Sequence, residues 1–409
     1  MKLLHTSDWH LGRALYGRNR YEEFEAFLDW LHETLISQGV DLLLVAGDIF
    51  DTTTPSTRAQ ELYYRFLHRV ANSRCRHVVI SGGNHDSPSF LNAPKALLRS
   101  LNVHVTGSVS GNPEGEVVVL RDLQGNPEAV LCTVPYLRDR DIRSVEAGES
   151  MDDKTRKLLE GIEAHYREVC RLGEEIRSNL SSFVPLVATG HLFAAGGRSI
   201  EGDGVREIYV GSLARVTLQT FPDTIDYLAL GHLHIPQKVG GMEHIRYSGS
   251  PLPIGFGEAR QEKKVVVVSW SGEHRTVEEV TVPCFQPLER VSGTLEAILG
   301  RISALKAKGS RAWLEIEYSG DEVISGLLAL LEESIKGSRL EIRRVKIRRV
   351  AAQSLERLSE HESLDELNEV EVFQRCLDAR QVPAVERPLL LEAYREVVQS
   401  LHEEDLFLQ

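Results

Sequence analysis

Short apolar runs alternating with amphipathic stretches organise the first 100 residues. Mainly apolar runs at 3–6, 41–46 and 77–81 predict buried strands, because brief runs bounded by polar residues are typical of strands. Between them, apolar residues recur at helical spacing over 21–38 and 57–70, which predicts two amphipathic helices. This order of strands and helices predicts an α/β domain with functional residues at the carboxyl ends of its strands.

Beyond residue 100 the pattern changes to short strands with one long helical interruption. Strands are predicted at 103–106, 116–120, 129–134, 186–189, 227–230, 244–248 and 264–270, and a helix at 154–178. The glycine-rich stretch 195–204 is interpreted as a loop beside His191. Two packed sheets with helices on their outer faces would accommodate all of these elements.

A smaller unit and a helical tail follow. The small unit is predicted to contain helices at 295–306 and 322–335 and strands at 312–318 and 340–350, and the tail to contain amphipathic helices at 364–379 and 388–402. We therefore predict three parts. They are an α/β two-sheet sandwich flanked by helices (1–283), a small α+β capping domain (284–350), and a linker with a C-terminal helical pair (351–409).

Composition limits the class of protein. A hydrophobic content of 42% and a charged content of 26% are those of a soluble globular protein. The start reaches charged residues too early for a signal peptide, and no apolar run has the length of a membrane span. The five cysteines are scattered and odd in number, which fits a reducing compartment. We therefore expect a cytoplasmic protein.

The net charge of −13 is concentrated in the tail. Residues 351–409 contain 14 acidic and 5 basic residues, a net charge of −9, so the first 350 residues carry only −4. Acidity in the tail repels DNA and favours a protein partner or plain solvation. The charge of the rest of the chain does not exclude a polynucleotide substrate.

Five polar clusters at the ends of predicted strands carry the candidate chemistry. They are Asp8 with His10, Asp48 with Asp51, Asn84 with His85, His191, and His232 with His234. Mixed oxygen and imidazole donors suit divalent transition metals such as Mn²⁺ better than a thiolate zinc site does. One such motif alone is more often a turn or a core histidine. Five in this order, each at a strand end, predict a metal centre.

The reaction chemistry suggests how the ligands divide between two ions. Two neighbouring cations that clamp a phosphate need a shared anionic ligand, and Asp48 is the candidate bridge. We assign Asp8, His10 and His234 to one ion, and Asn84, His191 and His232 to the other. Spacing alone does not decide which ion takes His232 and which takes His234. The expected cofactors are two divalent cations, Mn²⁺ or alternatively Mg²⁺.

Two further residues of these clusters are candidates for the chemical step. His85 follows Asn84 and is expected to lie near a bound phosphate. There it would stabilise developing charge or protonate the leaving oxygen. Asp51, three residues after Asp48, is the candidate that orients His85.

The order of these motifs resembles that of the calcineurin-like metallophosphoesterase superfamily. The segments 4–13 (LHTSDWHLGR), 81–87 (SGGNHDS), 227–234 (YLALGHLH) and 247–253 (YSGSPLP) narrow the resemblance to the SbcD family. Its members are the nuclease subunits of bacterial SbcCD complexes, kin to double-strand-break repair nucleases. One departure is Asp51, which stands where archaeal and eukaryotic relatives often carry a histidine.

This resemblance implies Mn²⁺-dependent 3′→5′ exonuclease and endonuclease activity on DNA, in repair, recombination and replication. It also implies association with the nucleoid when the protein is on DNA. It also implies an SbcC-type ATPase partner with a coiled coil and a homodimer of this chain, with the surface helices near 58–70 and 90–100 as the candidate dimer surface. The C-terminal helical pair is interpreted as the docking element for the ATPase, although it would also fit packing against the capping domain. The basic groups at 13–20, 138–143 and 339–349 are candidate phosphate contacts or solvated faces.

Two other functions remain open on the sequence alone. A phosphomonoesterase or cyclic-nucleotide phosphodiesterase would use the same metal chemistry, but a small substrate needs neither a cap nor a tail. A non-catalytic DNA-tethering subunit would not need a complete set of ligands. Cleavage of end-labelled duplex DNA compared with p-nitrophenyl phosphate separates the three.

Overall fold

The computed structural model describes residues 1–143, 149–194, 216–320, 324 and 326–347, together with 373, 377, 387, 391 and 394. The chain divides into two compact units. The larger comprises Met1–Arg290 with Arg311–Leu314, and the smaller comprises Val291–Ser310 with the described residues from Glu315 onward. The predicted loop at 195–204 and nearly all of the predicted linker and C-terminal helices lie outside the described residues.

The first sheet of the larger unit places three of the polar clusters side by side. Its six strands, in spatial order, are His274–Thr281, Lys264–Ser271, Lys2–Thr6, Leu42–Ala46, His77–Ser81 and Val103–Thr106. The last four are parallel, and Lys264–Ser271 joins Lys2–Thr6 antiparallel. Parallel strands end at one edge of a sheet, which is where ligand sites of α/β sheets form.

The second sheet supplies the remaining clusters. Its strands, in order, are Gln237–Val239, Met242–Tyr247, Tyr227–Gly231, Leu186–His191, Pro127–Cys132 and Val117–Arg121. The four central strands are parallel, and the two outer strands are antiparallel to their neighbours. Gly231 lies opposite His191 in the register, so His191 and His232 emerge next to each other.

The two sheets pack face to face through an apolar layer. Leu44 and Val79 from the first sheet and Val187 and Ala229 from the second belong to one cluster and have no exposed surface. Helices Tyr21–Ser37 and Thr57–Ala71 cover the outer face of the first sheet, and Met151–Ser178 covers that of the second. Short helices lie at Pro88–Asn92, Lys95–Arg99 and Asp139–Ile142. The predicted α/β two-sheet sandwich flanked by helices is confirmed.

A third sheet leads into the smaller unit. Its strands, in order, are Leu288–Gly293, Trp313–Tyr318 and Glu341–Ile347. They are accompanied by helices Leu295–Ala307 and Leu327–Ile335, whose buried residues include Ile302 and Leu331. This α+β composition matches the elements predicted for this stretch.

The sequence pattern missed or displaced elements that lack a regular apolar face. Strand His274–Thr281 has no buried residue, and it forms because it pairs along its whole length with Lys264–Ser271. The small hairpin of Ala14–Leu15 with Arg18–Asn19 was also missed. The long helix begins at Met151, before its predicted start at 154, because Ser150 and Asp153 form a capping box. None of the described helices combines the length and apolar character that crossing a membrane requires.

Candidate metal centre

The backbone turns sharply at the candidate ligands. Asp8, His10, Asp48 and His232 have φ values of +52°, +48°, +50° and +97°. They are four of the six non-glycine residues with positive φ in the described part of the chain. Such conformations cost on the order of 1–3 kcal/mol each and persist only where the surrounding structure enforces them. Backbone strain is therefore concentrated at the strand ends that carry the polar clusters.

Asp8, His10 and His234 form the first candidate group. One ligand atom from each lies within 4.8 Å of the other two, and all three side chains are buried. The Nε2 atoms of His10 and His234 are 3.3 Å apart. Asp8 accepts hydrogen bonds from Ser7 Oγ at 2.5 Å and from the backbone N–H of His232 at 2.9 Å. The structure brings together the three residues that the sequence assigns to one ion.

Asn84, His191 and His232 form the second candidate group. Asn84 Oδ1 lies 3.0 Å from His191 Nε2 and 3.1 Å from His232 Nδ1. His191 Nδ1 donates to the carbonyl of Ala46 at 3.0 Å, so its Nε2 faces the group. His232 uses the opposite ring nitrogen, a detail that residue spacing does not reveal.

Asp48 links the two groups. Its Oδ2 lies 3.2 Å from His191 Nε2 and 3.7 Å from His10 Nε2. Its Oδ1 accepts the backbone N–H of His85 at 2.9 Å, and the residue is 2% exposed. One carboxylate oxygen therefore lies between imidazole nitrogens of the two groups, which is the position that a bridging ligand needs.

The donor set fits two divalent cations. Its atoms are carboxylate and amide oxygens and imidazole nitrogens, the donors that Mn²⁺-type ions accept. Burial lowers the pKa of His232 to about 3 and also lowers the pKa of His10. Both rings are therefore neutral at physiological pH, which is the form that binds a metal.

His191 differs from His10 and His232, because its pKa is raised and not lowered. Burial opposes its charge, but the neighbouring Asp48 carboxylate raises the pKa of His191 to about 9. The pKa of Asp48 is lowered by the same pairing, although burial acts against it. The two side chains therefore favour an imidazolium–carboxylate pair, which a bound ion would have to displace.

His85 lies beside the first group and is partly exposed. Its ring meets His10 edge-on, with centroids 4.9 Å apart, and its Nδ1 donates to the main-chain carbonyl of Asp51 at 2.8 Å. The sequence predicts that Asp51 orients His85, and in the structure the contact is made by the main chain of Asp51 rather than by its carboxylate. That carboxylate lies 3.3 Å from His10 Nδ1 and accepts Arg13 at 2.8 Å, so Asp51 holds His85 through its backbone.

Asp86 is a positioning residue that the sequence analysis missed. It is fully buried and accepts backbone N–H groups of Ile49, Phe50 and Gly83 at 2.8–3.2 Å. Burial and the charge of Asp48 raise the pKa of Asp86 to about 6. This carboxylate joins the loops after the second and third parallel strands, and so fixes the candidate ligands Asp48 and Asn84 on these loops relative to each other. The only signal was its place directly after His85.

Residues of the segment 247–253 contact side chains that surround the candidate ligands. Ser248 Oγ lies 2.8 Å from Ser7 Oγ, which in turn donates to Asp8. Ser250 Oγ accepts from Lys263 at 3.0 Å, and Lys263 forms a buried ion pair with Glu258. The contact of Ser7 with Ser248 joins positions 241 apart in the chain, so no local motif predicts it.

The candidate phosphate contacts differ in availability. Arg20 is 2% exposed and donates to both carboxylate oxygens of Glu23, so it is a structural residue and the interpretation as a phosphate contact is wrong for it. Arg143 is engaged by Asp139. Arg13, in contrast, lies at the edge of the centre with a side chain 23% exposed.

Comparison with known proteins agrees with this geometry. The calcineurin-like phosphoesterase family matches residues 1–236, which include every candidate metal ligand. The family described as the type 5 capsule protein repressor C-terminal domain matches residues 284–381.

Full-length relatives narrow the assignment. The chain is 36% identical to the SbcD subunit of the nuclease SbcCD from Escherichia coli K12, over 98% of both chains. The SbcD subunits from Rhodobacter capsulatus and Bacillus subtilis are 33% and 31% identical, covering 85% and 78% of this chain and 88% and 78% of their own lengths. The chain therefore belongs to the calcineurin-like phosphoesterases and, within them, to the SbcD family of SbcCD nuclease subunits.

Proposed function

We propose that this chain is a Mn²⁺-dependent DNA nuclease that hydrolyses phosphodiester bonds with two divalent cations, Mg²⁺ being the alternative ion. The proposed reactions are 3′→5′ exonuclease cleavage of double strands and endonuclease cleavage of single strands and hairpins. They would serve DNA repair, recombination and replication. Its relatives are named as subunits of the nuclease SbcCD, and this name and the family membership support the nuclease class.

The position of Asp48 carries the proposal. Its Oδ2 is 3.2 Å from a nitrogen of one candidate group and 3.7 Å from a nitrogen of the other. A single ion would not need a carboxylate shared in this way. Asp48 would therefore bridge, with Asp8, His10 and His234 on one ion and Asn84, His191 and His232 on the other.

The bound ions and His85 would have different roles in the proposed reaction. When bound, the two ions would act as Lewis acids on the phosphate oxygens and lower the pKa of an attacking water. His85 donates from Nδ1 to the Asp51 carbonyl, so a neutral His85 has no proton on Nε2. Only the imidazolium form of His85 can then protonate the leaving oxygen, and this form also stabilises the developing negative charge.

We further propose an assembly with an SbcC-type ATPase that has a coiled coil. The amphipathic stretches within 351–409 would dock on this partner. Two copies of each chain would form a heterotetramer. The region 284–350 would face the DNA as a capping domain, with basic residues 339–349 near the phosphates.

An assay on the assembled complex tests the activity. With Mn²⁺, the complex should shorten 5′-end-labelled duplex DNA from its 3′ end and open hairpins, and Asp48→Asn should remove both reactions. Faster turnover of p-nitrophenyl phosphate than of DNA would indicate a phosphomonoesterase instead. DNA binding without cleavage in Mn²⁺ and in Mg²⁺ would indicate a tethering subunit.

A further inference from the structure

We propose that two carboxylates outside the metal groups are positioning residues for the two histidines that share an ion. They are Glu258, which faces His234, and Asp51, which faces His10. Each would keep the ring proton on Nδ1 and so leave Nε2 for the ion. This inference rests on the proposed two-metal site and goes beyond its ligand list.

His234 faces His10 with one nitrogen and Glu258 with the other. The Nε2 atoms of the two rings are 3.3 Å apart, and His234 Nδ1 lies 3.5 Å from Glu258 Oε1. Glu258 has no exposed surface and His234 is 3% exposed. An ionised carboxylate accepts hydrogen bonds and donates none. It therefore favours the neutral tautomer of His234 that carries its proton on Nδ1.

Lys263 holds Glu258 in the orientation this requires. Its ammonium group pairs with Glu258 Oε2, and it also donates to the carbonyl of His234 and to Ser250 Oγ, both at 3.0 Å. The backbone N–H of Ile254 donates to the same Oε2 at 3.1 Å. Because Oε2 is engaged in this way, Oε1 is the oxygen that faces the imidazole. A buried cation thus connects the carboxylate to the backbone of the histidine that it positions.

His10 has a matching arrangement on its side of the site. Its Nδ1 lies 3.3 Å from Asp51 Oδ1, and the same oxygen accepts Arg13 at 2.8 Å. Its Nε2 faces both His234 and Asp48. In the described structure His10 Nδ1 and Glu258 Oε1 are buried atoms without a regular hydrogen-bond partner. A small movement of each ring would shorten both contacts to hydrogen bonds.

The physical consequence is an effect on ion affinity. A ring in the wrong tautomer points an N–H group at the ion and must change tautomer before it can bind. Partners that orient metal-binding histidines are worth roughly 10–100-fold in metal affinity. Glutamine at position 258 keeps the volume of Glu258, but its amide can donate to His234 Nδ1 and so favour the wrong tautomer.

Calorimetric titration of the full chain with Mn²⁺ tests the inference. Wild type should bind two ions, and Glu258→Gln should weaken one of them by roughly tenfold or more. Because Glu258→Gln leaves Lys263 buried without its partner, the double variant Glu258→Gln with Lys263→Met removes both charges. In EDTA, where no ion is bound, the thermal midpoint of this double variant should return towards that of wild type. Its affinity for the ion should nevertheless stay low. Asp51→Asn, at a partly exposed site, should weaken the same ion.

Glu116→Gln is the matched control. Glu116 is also fully buried and lies 2.8 Å from the Nε2 of His165, outside the metal groups. It should lower the thermal midpoint and leave both Mn²⁺ affinities unchanged. Wild-type affinity in the double variant and in Asp51→Asn, or an equal loss in Glu116→Gln, would overturn the positioning role. Failure of wild type itself to bind two ions would instead overturn the proposed function.

Discussion

The Nε2 atoms of His10 and His234 face each other at 3.3 Å in the interior of the larger unit. If each ring carries its proton on Nδ1, two lone pairs meet where little water can screen them. Unsatisfied polar contacts of this kind are costly in a low-dielectric interior. A cation bound between the two nitrogens, as proposed, would replace that cost with two ligand bonds, so ion binding and fold stability should be linked.

Mn²⁺ is therefore expected to stabilise the protein against heat. Linkage gives about 2.7 kcal/mol for each site when the free ion is at about 100 times its Kd, enough to raise Tm by several degrees. Differential scanning calorimetry in EDTA and in Mn²⁺ measures the change. Asp48→Asn lacks the shared anion and should show a much smaller rise. A rise equal to that of wild type would argue against a bridging Asp48.

Ion affinity should increase with pH from neutral to about 9. The pKa of His191 is raised from 6.5 to about 9 by Asp48, against the effect of burial. Without a bound ion, the pair of His191 with Asp48 makes its full contribution to the free energy of unfolding below pH 6.5. This contribution is lost as the pH rises through about 9. If His191 is a ligand as proposed, an ion needs its neutral form and must displace its proton. Calorimetry near neutral pH, in buffers of different ionisation enthalpy, should detect release of about one proton on binding. No release would contradict the assignment of His191 as a ligand.

His85→Ala should separate cleavage from binding. His85 is outside both candidate ligand groups and its Nδ1 is held by the Asp51 carbonyl. Loss of a general acid or charge-stabilising group typically lowers the rate roughly 10²–10⁴-fold. DNA cleavage should fall by this amount, while Mn²⁺ stoichiometry and DNA affinity remain. His104→Ala, on the edge strand Val103–Thr106, is the control and should cleave normally. Undiminished cleavage by His85→Ala would remove His85 from the mechanism.

Local sequence patterns account for the parts of the site that one segment determines. Asp8, Asp48 and Asn84 each follow a buried strand, and an apolar run followed by a polar residue is visible in a short window. The orientation of the rings is different. It depends on contacts such as Ser7 with Ser248, which are 241 positions apart, and on Glu258 with His234. Such long-range pairs leave no periodic pattern or fixed spacing in the sequence. The ring nitrogen that His232 presents and the carbonyl that accepts from His85 are therefore known only from the structure.

Substitution of Gly47 tests whether close packing around His191 sets the geometry of the site. Gly47 and Gly125 both have a φ of +85°, in the left-handed region that costs other residues roughly 1–2 kcal/mol. The two positions differ in the space available for a side chain. A Cβ at Gly47 would lie 2.1 Å from His191 Nδ1, whereas at Gly125 it would meet no heavy atom within 4 Å in the described structure.

Gly125→Ala should therefore reduce the free energy of unfolding by the backbone term alone and leave Mn²⁺ binding intact. Gly47→Ala should cost more, because His191 must move and lose the hydrogen bond to the Ala46 carbonyl. Binding of one Mn²⁺ ion and DNA cleavage should be lost with it. Urea unfolding and Mn²⁺ titration of the two variants measure both effects. If Gly47→Ala binds two ions as wild type does, the position of His191 is not what this glycine protects.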